Sequence, residues 1–210
     1  MERKKAYLIG AARGFVVLYY AVGLCGLIFY PEVFRHLVAL SLVITATLLF
    51  VFHQPWNLSY QLYALSVMGI TWLMEWIGVE TGAIFGVYRY GDHLGLKLAG
   101  VPLLIGVNWL MLLYCCGMLV EVLKIQPPWR ALSGAALMVA IDLLLEPVAV
   151  KLDWWYWQTG AAPLQNYVAW FYLSFLLLLP YFRIRQRPYN PLAIWIAAAH
   201  VIFFIVLNIV

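Results

Sequence analysis

The chain has 210 residues, of which 66% are hydrophobic and only 10% charged, and its net charge is +4. A soluble domain carries about a quarter charged and about half apolar residues, so this chain could not cover itself with polar surface in water. Its few basic residues sit in short loops, which argues against nucleic acid as a partner and makes lipid the expected solvent.

In chain order, seven apolar runs approach the roughly 20 residues that a membrane span requires. They cover residues 6–29, 33–52, 58–78, 98–120, 131–150, 161–182 and 191–210. The first is too long for the core of a signal peptide and lacks a small-residue cleavage site, so it reads as a span. Turn-forming residues separate the runs: Tyr30-Pro31-Glu32, His53-Gln54-Pro55-Trp56-Asn57, Gln126-Pro127-Pro128 and Arg187-Pro188-Tyr189-Asn190-Pro191. Residues 1–210 therefore read as one integral membrane domain, an all-α polytopic transmembrane helical bundle of about seven spans. One connection, from about Val79 to Lys97, is long and rich in Gly and aromatics. At membrane depth such a segment must be buried in protein or line a cavity.

Seven spans place Arg3, Lys4, Lys5, Lys124, Arg130, Arg183, Arg185 and Arg187 on one side and Arg35, Arg89, Lys97 and Lys151 on the other. Eight against four puts the N-terminus in the cytosol. The acids then segregate. Glu75, Glu80, Asp92, Asp142, Glu146 and Asp153, six of nine, fall at one end of the bundle.

Asp142 and Glu146 are four apart and share a helix face within an apolar run. An ionisable residue there costs a few kcal/mol and marks a functional site. Two carboxyl groups held this close and partly desolvated do not both ionise easily, and the one that keeps its proton is a candidate general acid. Glu75 lies between Trp72 and Trp76, and Glu80 follows in Gly78-Val79-Glu80-Thr81-Gly82. Glu80 reads equally well as a solvated loop acid. Trp154-Trp155-Tyr156-Trp157 reads as an interfacial aromatic belt or as π faces lining a pocket. Arg13, deep in the first run, is expected to pair with one of these acids. Asn108, His200 and Asn208 read first as interhelical hydrogen-bonding residues.

Cys25, Cys115 and Cys116 all lie in apolar runs and form no disulfide pattern. There is no dinucleotide-binding Gly-x-Gly-x-x-Gly. The histidines His36, His53, His93 and His200 are scattered, and no metal-ligand set stands out. Neither a metal nor a redox cofactor is expected.

Glu75-x-x-Gly78-x-x-Thr81-Gly82-x-x-Phe85-Gly86-x-Tyr88-x-Tyr90, then Leu94-Gly95, Gly100-Val101-Pro102-Leu103 and Trp109, resembles the carotenoid biosynthesis membrane-protein family. Asp142-x-x-x-Glu146-Pro147 followed by Trp155 and Trp157 looks like that family's second block. The match covers about 80 residues. It departs in having Glu146 where Asp is frequent and Asp153 where a small residue is common. The resemblance implies a carotenoid 1′,2′-hydratase acting without a cofactor. Such an enzyme protonates the terminal alkene of an acyclic end group and captures the tertiary cation with water. Asp142 or Glu146 would be the acid, and Glu75 or Glu80 would position the water. Trp72, Trp76, Thr81, Phe85, Tyr88, Tyr90, Asn108, Trp109, Trp154, Trp155 and Trp157 would contact the polyene. Membrane lipids, and other membrane enzymes of the same pathway, are the partners this implies. A cyclase, trapping the same cation with an internal alkene, is the nearest rival. A non-catalytic lipid-binding or transport protein is another.

Overall fold

A computed structural model describes residues 2–184 and 189–210. Helix α1 (Glu2–Phe29) stops at Tyr30, and Pro31, which has no N–H to leave unpaired, opens the short α2 (Pro31–Phe34). A 3-10 turn over Arg35–Leu37 leads into α3 (Val38–Val51). Helix α4 (Leu58–Thr81) begins where the Asn57 side chain accepts the Tyr60 N–H at 2.8 Å. The others are α5 (Leu104–Val120), α6 (Pro127–Lys151), α7 (Leu164–Tyr181) and α8 (Ala193–Ile209).

Setting aside the one-turn α2, seven helices among the described residues stand where seven apolar runs were expected. Residues 6–29, 31–51, 58–81 and 127–151 are long and apolar enough to cross a membrane. The architecture is an all-α membrane bundle. Large apolar side chains such as Leu8, Leu62, Leu65 and Ile202 point outward and are exposed, an arrangement that lipid stabilises and water would not. Helix α5 has 17 residues, 13 of them buried, and packs against α3, α4, α6, α7 and α8. A helix walled in by other helices need not match the thickness of the bilayer, which accounts for its short length.

Two features depart from the sequence reading. The expected span 98–120 starts late, because strand β2 (Lys97–Leu98) turns back on β3 (Val101–Pro102) through Ala99 and Gly100 at φ 47° and 78°. Residues at positive φ cannot continue a right-handed helix, so α5 begins only at Leu104. The aromatic segments also pair. Strand β1 (Tyr88–Tyr90) lies antiparallel to β4 (Trp155–Trp157), with Tyr88 opposite Trp157, Arg89 opposite Tyr156 and Tyr90 opposite Trp155. Gly91 permits this, since a Cβ there would sit 2.0 Å from the Asp153 carbonyl oxygen. Arg185 and Arg187, two of the basic residues counted for orientation, and the side chain of Lys5 lie outside the described residues.

Candidate active site

Helix α6 carries Asp142 and Glu146 one turn apart, both facing α7 and both buried. Asn166, in the first turn of α7, is the group between them. Its Nδ2 donates to Asp142 Oδ2 at 2.7 Å and more weakly to Glu146 Oε1 at 3.5 Å. Among the described residues, Asp142 Oδ1 is buried with no hydrogen-bond partner.

The β1–β4 ribbon holds the other carboxyl oxygens. Side chains alternate along a strand, so Tyr88, Tyr90, Trp155 and Trp157 all turn inward, while Arg89 and Tyr156 meet outside with the guanidinium 4.5 Å from the ring centroid. Trp155 and Trp157 each donate an indole N–H to Glu146 Oε2, at 3.0 and 2.7 Å. From the opposite strand, Tyr88 and Tyr90 both donate to Glu75 Oε2, the latter at 2.7 Å. Trp109 on α5 donates to Glu75 Oε1 at 2.8 Å. The ring centroids of Tyr88 and Trp157 are 4.9 Å apart with the planes tilted by 35°, so one pair of touching aromatics joins the two carboxyl groups. Hydrogen bonds to charged groups contribute about 1.5–3 kcal/mol each. The ribbon is thus a rack of neutral donors matched to buried acceptors.

Three of the acids expected at this end, Glu75, Asp142 and Glu146, are brought together in the interior. Asp92 and Asp153 are surface ion-pair partners, of Lys97 at 2.7 Å and Arg35 at 3.2 Å. Lys97 beside Asp92 holds its carboxyl below the usual range. Glu80 is exposed at the end of α4. The neighbouring Thr81 is also exposed and hydrogen-bonds the carbonyl of Ile77 and the N–H of Ala83, which closes the helix. Trp76 is 38% exposed, and Trp72 is half-buried. Phe85 packs in the core edge-on to Tyr88. Trp154 and Asn108 are buried in the wall of a cavity beside the ribbon.

Arg13 does not meet an acid. Its Nε reaches the Pro191 carbonyl at 3.4 Å, and its guanidinium lies 5.5 Å from the Trp195 ring centroid. Those partners satisfy a cation near the end of α8 without drawing it to the carboxyls. His200 and Asn208 form the expected interhelical bonds, to Tyr20 and to the Leu144 carbonyl. The residues that sequence reasoning missed are Asn166 and Trp170. Trp170 stacks on Trp109 with centroids 3.9 Å apart. Asn166 interrupts the apolar run 161–182 as Asn108 interrupts 98–120, and that interruption is the signal that could have found it. Nothing local marks Trp170. Among the described residues, no three His, Cys, Asp or Glu side chains are placed to hold a metal ion.

Residues 35–210 match the family described as carotenoid biosynthesis protein. Over 105 residues the chain is 34% identical to the bisanhydrobacterioruberin hydratase of Haloarcula japonica, a match covering 46% of this chain and 36% of that protein. The chain thus matches about a third of the length of that relative. No solved structure matches it.

Proposed function

Since the chain belongs to the carotenoid biosynthesis protein family, we propose that it is a carotenoid hydratase, adding water across the terminal 1′,2′ double bond of an acyclic end group. The observation that carries this reading is the Asp142–Asn166–Glu146 cluster, with one carboxyl oxygen, Asp142 Oδ1, left without a partner in the interior. All the hydrogen-bond donors to the three carboxyls are neutral N–H and O–H groups. A proton kept on one carboxyl limits the charge buried there.

In the proposed reaction Asp142 gives its proton to C2′. The π electrons form the new C–H bond and leave a tertiary cation at C1′. A water oxygen then bonds to C1′, and Glu146 takes the proton that the oxonium releases. Asn166 holds the two carboxyls in place, and after product release Glu146 gives its proton to water while Asp142 takes one up from water. The sum is alkene plus water giving tertiary alcohol, with no electrons exchanged. Glu75, held by Tyr88, Tyr90 and Trp109, fixes the ribbon and its π faces beside the cation. Glu80 has no part in this scheme. The basic-residue bias supports a cytosolic N-terminus, with the carboxylate end towards the opposite face, and the reading includes the pathway's other membrane enzymes as partners.

The test is expression in a host that accumulates acyclic carotenoids, followed by liquid chromatography and mass spectrometry. A pigment heavier by one water is expected. A product of unchanged mass and altered spectrum would replace the hydratase by a cyclase, and no new pigment in any such host would overturn the reading.

A further inference from the structure

A cavity of about 380 Å³ lies between α1, α3, α5 and α8, with the Trp154–Trp155 segment at one end. It falls within the roughly 300–1,000 Å³ of small-molecule sites. Its walls are almost wholly apolar, with Trp154 and Asn108 among the few polar side chains in them. The Trp154 indole N–H is buried with no acceptor among the described residues, and Asn108 adds an amide to the same wall. Trp154 is 6% and Asn108 7% exposed. Buried polar groups in native proteins are overwhelmingly paired, so an orphaned indole N–H beside an amide in one apolar cavity indicates a guest that brings its own polar atom. An indole can only donate, so the guest must present an acceptor; the amide can serve as either partner. A hydroxyl or water oxygen satisfies both.

The cavity also has a side entrance. Val22 on α1 and Leu37 and Leu40 before and within α3 belong to its lining yet are 52%, 41% and 55% exposed. Helix α1 packs mainly on α8 and α2 rather than on α3. A Tyr19 hydroxyl donating to Ser41 Oγ at 2.8 Å spans the gap. Its exposed rim is apolar, which suits lipid rather than water. At the far end, the Trp155 ring lines the cavity while its N–H donates to Glu146. The Trp155 indole is therefore the partition between the cavity and the carboxyl cluster, and its displacement would bring an end group held in the cavity to Asp142.

We propose that this cavity holds the end of a linear isoprenoid chain, entering sideways from the bilayer between α1 and α3, with Asn108 and Trp154 binding the oxygen at that end. The proposal rests on the hydratase reading for the identity of that oxygen: water before the reaction, a tertiary hydroxyl after it. The volume takes only the chain end, and the remainder of a long polyene lies along the lipid-exposed faces of α1 and α3.

Binding is measured on the purified full chain in nanodiscs, by the visible absorbance that co-elutes with protein. Two unreactive probes are used, an acyclic carotene with saturated ends and the same polyene bearing one tertiary hydroxyl. Neither can be hydrated, so binding and catalysis fail separately. The wild type is expected to retain both and to prefer the alcohol by about tenfold, roughly one good hydrogen bond. Asn108→Leu and Trp154→Phe should abolish the preference. Gly23→Leu should lower retention of both probes at least tenfold. A Cβ at Gly23 meets only Phe203 at 3.7 Å, so the new side chain grows into the cavity without a clash. Ile44→Phe fills the same space from α3 and is expected to act alike, should Gly23→Leu fold poorly. Wild-type retention in both filled variants, or no retention by the wild type, would overturn the site. Normal probe binding with no hydration of a reactive carotene would leave the cavity standing and remove the hydratase.

Discussion

The bundle buries a second polar cluster at its other end, and the two differ in kind. Along α4, Tyr60 and Glu75 are fifteen residues apart, as are Asn166 and Tyr181 along α7, which separates the clusters by roughly 22 Å. At the far end His53 meets the Tyr114 hydroxyl at 3.0 Å and stacks on Tyr60 with centroids 3.8 Å apart. Tyr60, Tyr63 and Tyr181 surround it, and all three hydroxyls are buried without a partner. At the carboxylate end the phenols of Tyr88 and Tyr90 and the indoles of Trp109, Trp155 and Trp157 all reach an oxygen. The same residue types thus serve as donors in one place and as ring packing in the other. What distinguishes them is the carboxyl group, which accepts several hydrogen bonds and carries none away. Tyrosines gathered without such an acceptor bury their rings favourably and leave their hydroxyls unmatched.

The largest expected effect is at the acid. Asp142→Asn keeps the shape and lets the amide oxygen accept from Asn166, so the protein should fold while hydration falls about 10²–10⁴-fold, the usual contribution of a general acid. Turnover in the host assay would show it, and undiminished product would remove Asp142 from the role proposed for it. Asn166→Leu strips a donor from two carboxyls and should cost about 2–4 kcal/mol of stability, with activity lost as well. Thermal unfolding in detergent measures this, and a loss below about 1 kcal/mol would mean that the carboxyls are held without it.

The tyrosine end should respond to pH instead. Burial pushes His53, in the loop between α3 and α4, down to about 4 from an ordinary 6.5. Between those values the unfolded chain binds a proton that the folded chain does not, so stability is complete above the window and declines as pH falls through it. A His53→Gln variant should lose that slope in unfolding curves taken between pH 4 and pH 6.5; an unchanged slope would assign the dependence to another group. The smallest effect is expected for Tyr63→Phe. Removing a hydroxyl that has no partner should leave stability unchanged or raise it by up to about 1 kcal/mol. A drop of that size would show that the hydroxyl binds water, and the contrast between the two ends would then narrow.

Much of the site could be read from the sequence because burying charge in lipid is costly wherever it occurs. Asp142, Glu146 and Glu75 stand out against their apolar runs without knowledge of any neighbour. So do the breaks at Pro31 and Pro127, since proline acts on its own backbone. Glu80 and Arg13 show the limit of that logic. Each was assigned by residue type and approximate depth. The packing exposes the first and gives the second a carbonyl and an indole face. The paired reading of Trp154–Trp157 was resolved by strand alternation once β1 was seen opposite β4. Trp155 and Trp157 then turn to Glu146 and Tyr156 turns away.

The sequence by itself determined the solvent, the helical bundle and the three interior carboxyls, because hydropathy, helix breaking and the cost of a buried charge add up locally along the chain. Only the tertiary structure decided the partners. Tyr88 and Trp157 are 69 residues apart and Asp142 and Asn166 are 24 apart; their geometry depends on how α6, α7 and the ribbon pack, and no local property encodes it. The cavity belongs to the same class, since an orphaned indole N–H on Trp154 exists only relative to the helices that enclose it.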